Sequence, residues 1–127
     1  MELGIRKILA LSYDEAVERT REKLKEHGFG VITEIDVQAT LKQKLKREFR
    51  RYVILGACNP EFAHRALKVN LDVGLLLPCN VIVYEEGDQS VVAAANPDMM
   101  ANIFTDEAFR KLAGEVRERL RKAVDAL

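Results

Sequence analysis

The chain has no tryptophan, only three prolines, two histidines and two cysteines among its 127 residues, and its charges cancel. Each scarcity closes off a class of function. Two cysteines cannot build the bridge framework of a small secreted domain, and Met1 to Lys7 lack the apolar stretch of a secretory leader. The expected compartment is therefore the reducing cytoplasm. Twenty basic residues balance twenty acidic ones, so no long-range field draws the protein to nucleic acid or to an anionic membrane. No stretch nears the roughly 18 apolar residues of a membrane span. The nucleotide-binding P-loop, the metalloprotease helix and the nucleophile elbow are all missing. Gly28-Phe29-Gly30 has the glycines of a dinucleotide loop but precedes a strand instead of following one.

What the chain does have is a 48% apolar composition, enough to fold without staples, and a length that suits one domain over 1–127. Residues 3–11 alternate as a strand. Ser12-Tyr13-Asp14-Glu15 is a capping box that opens a helix with Ala16, Val17, Thr20 and Leu24 on its apolar stripe. His27-Gly28 closes it, and residues 29–35 return to strand alternation. Asp36 caps a second helix carrying Val37, Leu41 and Leu45; Tyr52 to Ala57 is a third strand. Asn59-Pro60 starts another helix in the favoured order of cap and first-turn proline. Residues 81–84 and 91–94 flank Glu86-Gly87-Asp88 as a hairpin, and the first is apolar on both faces, which places it mid-sheet. The last helix, opened by Thr105-Asp106-Glu107, has Phe109, Leu112, Val116, Leu120 and Val124 as its core face. Glu107–Lys111, Glu115–Arg119 and Glu118–Lys122 have the i,i+4 spacing of ion pairs on its wet side. This order predicts an α+β domain, with helices on one face of a largely antiparallel sheet.

Both cysteines precede an asparagine, in Gly56-Ala57-Cys58-Asn59-Pro60 and in Leu77-Pro78-Cys79-Asn80-Val81. Cys58 at a helix start is set to form a thiolate, or else it fills a tight corner. Cys79 can pack or act as a resolving thiol if strands 52–57 and 81–85 pair. His64 offers a base, or with the cysteines a third zinc ligand, although no zinc-module spacing is present and no metal or cofactor is expected. Glu34 and Asp36 share a strand face as a carboxylate pair, while Asp36 also has a capping role. Lys42, Lys44, Lys46, Arg47, Arg50 and Arg51 form the strongest charge cluster, suited to a phosphate, an acidic partner or plain solvation.

Taken in order, Gly28-Phe29-Gly30 with Glu34 to Leu41, Ile54 to Pro60 with Ala63 to Leu67, and Gly74 to Val81 resemble the bacterial and archaeal family called domain of unknown function 302. The resemblance runs from about residue 12 to 126. It implies a curved antiparallel sheet with a long C-terminal helix, similar to the TATA-binding-protein arrangement, and a homodimer. It supplies no catalytic residue. It singles out Glu34, Asp36, Gly56, Cys58, Asn59, Pro60, His64, Pro78, Cys79 and Asn80. The family often has glycine just after the position of Leu45; here Lys46-Arg47-Glu48 continues the helical pattern and predicts a longer second helix.

Three functions follow as expectations. The first is a binding or interaction domain, with a small anionic ligand where the Cys-Asn segments meet the start of the 60–68 helix and Asn59 and Asn80 orient it. The second is thiol redox or sulfur-transfer chemistry on Cys58 and Cys79, with His64 as base. The third is a purely structural homodimer.

Overall fold

The computed structural model describes residues 2–127. Strands β1 (Gly4–Leu9), β2 (Gly30–Asp36) and β3 (Tyr52–Cys58) alternate with helices α1 (Tyr13–Glu26), α2 (Val37–Leu45) and α3 (Pro60–Val69); the hairpin β4 (Cys79–Glu86) and β5 (Gln89–Ala95) and then helices α4 (Asp98–Ile103) and α5 (Glu107–Asp125) follow. The strands form one antiparallel sheet in the order β1-β5-β4-β3-β2. The apolar strand expected mid-sheet, β4, is its centre.

Side chains set the element ends as the sequence predicts. Ser12 Oγ accepts from the Glu15 amide, Asp36 Oδ1 from Ala39 at 2.9 Å, and Asn59 Oδ1 from Phe62 at 3.1 Å. Gly28, at φ +88°, takes the left-handed conformation that ends α1 without a Cβ penalty.

The second helix corrects one expectation. It stops at Leu45, and Lys46 itself adopts the left-handed cap at φ 54°. The helical pattern through Arg47 and Glu48 is overridden because the chain must turn back to begin β3. Two short elements were not foreseen: α4, and a 3-10 turn over Leu71–Leu76.

Register assigns the two faces. Ile5, Leu9, Val53, Leu55, Ala57, Val81, Val83, Val92 and Ala94 point toward the helices and are buried with Ala16, Leu24, Phe109, Val116 and Leu120. Helices α1, α3 and α5 cover this face. Two buried hydroxyls are satisfied within it: Thr20 donates to the Ala16 carbonyl and Ser90 to that of Leu11. The opposite face has no helix across its middle and carries Ile8, Ile35, Ile54, Ile82, Tyr52 and Tyr84, with the two tyrosine rings stacked at 5.3 Å. Gly56 lies on this side opposite Asn80, where a Cβ would come within 2.7 Å of Pro78 Cγ.

Candidate functional site

The ends of β3 and β4 bring the two Cys-Asn segments together. Ala57 is the cross-strand partner of Cys79, so Cys58 sits one residue beyond the directly opposed position. Both thiols are half-buried and free. Together with Asn59 they border an apolar cavity of about 40 Å³, walled by Phe29, Phe62, Met100 and Phe109. Burial pushes the Cys79 thiol up to about 11, and the nearby Cys58 adds to the rise. Cys79 is therefore a protonated, largely apolar group at neutral pH.

The other residues singled out from the sequence lie elsewhere. Asn80, one residue past Cys79, turns to the open face and is exposed. His64 is exposed on α3 and does not border the cavity. Glu34 pairs with Arg21 at 2.7 Å, and Asp36 spends one carboxylate oxygen on the α2 cap. Both acids lie near Tyr13, whose hydroxyl is raised first by burial and then by Asp36. Among the described residues, no three His, Cys, Asp or Glu side chains gather as a metal set. The basic cluster is divided. Arg50 pairs with Glu86 at 2.9 Å, while Arg51 pairs with Asp14 at 2.6 Å and lies 4.4 Å from the Tyr13 ring centroid.

Three residues beside Asn59, of which only Phe62 lines the cavity, escaped sequence reasoning. Phe62 borders both the cavity and a charged groove between α3 and α5. The guanidinium groups of Arg65 and Arg119 lie 5.7 and 5.3 Å from its ring centroid, within cation–π range. Glu115, spaced to pair with Arg119, pairs instead with Arg65 at 2.7 Å. Arg119 Nη1 donates instead to the His27 carbonyl, at 3.5 Å. Gly28 completes the group: a Cβ there would lie 3.0 Å from Asn59 Nδ2 and 3.1 Å from Arg119 Nη1. No sequence signal marks these contacts, because they join residues 28, 59, 62 and 119 through the tertiary fold.

Among the described residues no helix is long and apolar enough to cross a membrane. No curated protein matches the chain. Its structure is similar to the crystal structure of an uncharacterized conserved DUF302 protein from Bacillus stearothermophilus, with 32% sequence identity, 98% of each chain covered and a TM-score of 0.91. The family model described as domain of unknown function DUF302 matches residues 5–127, and the chain belongs to that family.

Proposed function

We propose that this chain is a single-domain cytoplasmic binding protein that holds a small molecule in the cavity between β3, β4, α3 and α5. The observation that carries the reading is the cavity itself. It is apolar, it lies where both Cys-Asn segments and the first turn of α3 converge, and it opens beside the one cavity-lining asparagine. Sites for small ligands combine such apolar walls with a few placed polar groups. The raised Cys79 thiol supports binding over thiol exchange, since an attacking or leaving thiolate needs a low pKa. The two free cysteines suit a reducing compartment.

Xenon tests the cavity without presupposing a ligand, because it enters dry apolar voids. Under xenon pressure, the amide resonances of Phe29, Ala57, Phe62 and Cys79 are expected to shift in a saturable way. Shifts no larger than those of surface amides sink the reading.

The homodimer rests on a separate observation, the uncovered apolar sheet face. Ile8 and Ile35 are 59% and 51% exposed there, and an aromatic row runs from Phe49 through Tyr52 to Tyr84. A second copy of the chain is the proposed cover.

A further inference from the structure

We propose that the free edge of β1 takes an extended acidic peptide as an added strand, its backbone paired with Gly4, Arg6 and Ile8 and its carboxylates on Arg6 and Arg121. The proposal concerns a different surface from the cavity and does not depend on that reading.

Register shows which backbone groups are open. The Asn96 amide donates to the Leu3 carbonyl at 3.0 Å, just before the point where β1 and β5 begin to pair at Gly4 and Ala95. In an antiparallel ladder, residues two apart repeat this orientation. Ile5, Lys7 and Leu9 therefore turn their amides and carbonyls toward β5, and Gly4, Arg6 and Ile8 turn theirs away. β1 ends the sheet, so among the described residues no strand lies beyond these three. Such a row of open donors and acceptors is a template for another strand.

The two edges of the sheet differ in how they are guarded. At the far edge, β2 has a register shift between Val31 and Thr33 and carries Glu34 and Asp36. Bulges and edge charges both discourage pairing. β1 instead runs in unbroken register from Gly4 to Leu9. Its own charges do not shield it. Lys7 folds inward and donates to the carbonyl oxygens of Asp125 and Leu127, at 3.1 and 2.9 Å. Arg6 leans across the open face to the Tyr84 hydroxyl.

Charge selects the peptide. The groove along residues 2–8 is bordered by Arg6, Lys7 and Arg121, with Glu2 as its one acid among the described residues. Arg6 has a neutral partner, and Arg121 is exposed with no ion-pair partner among the described residues. These two cations flank the edge from opposite sides. Arg6 alternates with the buried Ile5 and so lies on the open face, whereas Arg121 belongs to α5, which covers the other face. Successive side chains of an added strand also point to opposite faces, so two adjacent glutamates reach both arginines. Ile8, exposed on the open face two residues from Arg6, suits a branched apolar neighbour.

The probe is acetyl-Thr-Val-Glu-Glu-Val-Thr-amide, titrated into protein held at the 14.4 kDa monomer mass and followed by amide shifts and hydrogen exchange. The Gly4, Arg6 and Ile8 amides are expected to exchange more slowly as peptide is added, while exchange at Ile5 and Lys7, already bonded to β5, changes little. A Lys-Lys version of the peptide should bind at least about threefold more weakly. Arg121→Glu should weaken the glutamate peptide and strengthen the lysine one, an exchange of preference that a damaged fold would not produce. N-methylation of both valines and both glutamates removes the ladder donors and should abolish binding. The assignment is overturned if the N-methylated peptide binds as well, or if the lysine peptide matches the glutamate one in the parent chain. Protection of the three edge amides that grows with protein concentration and needs no peptide would give the edge to a second copy, and would overturn it too.

Discussion

Burial raises the Cys79 thiol from its ordinary 9.0 to about 11, and that single side chain carries a pH dependence for the whole chain. Below pH 9 the thiol is protonated in both folded and unfolded states, so titration changes nothing. As pH climbs from about 9 toward about 11, the unfolded chain releases the proton while the folded one retains it. Stability is therefore lost over that window, by up to about 2 kcal/mol. Urea unfolding at pH 8 and pH 11 should show this loss, and Cys79→Ala should remove the Cys79-dependent part of the difference. The same side chain should alkylate slowly at pH 8 in the folded state and readily once unfolded. Rapid labelling of Cys79 in the folded protein at that pH would contradict its burial and revive the thiol-chemistry reading.

At the scale of elements, most of the architecture was written in local chemistry. Ser12, Asp36 and Asn59 each cap a helix through an amide three residues on, a rule that needs no knowledge of the rest of the fold. The hairpin at Gly87 and the apolar stripe of α5 are equally local. What stayed hidden depends on distant partners. Helix α4 has only six residues and no buried side chain, so it leaves no periodic trace. The ion pairing of α5 was misread because Arg65, fifty residues away, competes for Glu115 and frees Arg119. The candidate site divides in the same way: Cys58, Asn59 and Cys79 could be named from their motifs, whereas Gly28, Phe62 and Arg119 join them only through packing. Lys46 is the element end where local preference loses, since helical pattern continues and yet the chain turns at φ 54°. A non-glycine residue in that conformation costs about 1 kcal/mol. Lys46→Gly is accordingly expected to stabilise the protein by about 0.5–1 kcal/mol, read as a higher urea midpoint at constant slope. No change, or a loss, would mean that Lys46 makes compensating contacts through its side chain.

For the whole molecule, the decisive asymmetry is between the two faces of the sheet. Helices α1, α3 and α5 bury one face, and the other presents Ile8, Ile35, Ile54 and Ile82 around the stacked Tyr52–Tyr84 pair. Arg6 donates to the Tyr84 hydroxyl at 3.0 Å, which ties down the polar end of that ring. Five strands about 4.8 Å apart and about six residues long cover roughly 24 by 20 Å. Two such faces packed together remove on the order of 1,000 Å² from water, close to the lower limit for a specific interface. A contact of that size gives a reversible dimer whose population depends on concentration. Sedimentation should therefore show the mass rising from the 14.4 kDa chain toward twice that value as concentration increases. Ile8→Lys with Ile35→Lys places two charges per copy at opposite edges of the face, on side chains that contribute little to the core. The double variant should remain monomeric at concentrations where the parent is dimeric, with its unfolding midpoint nearly unchanged at low concentration. A parent chain that stays at the monomer mass throughout would remove the second copy from this face and leave the cavity as the molecule's principal feature.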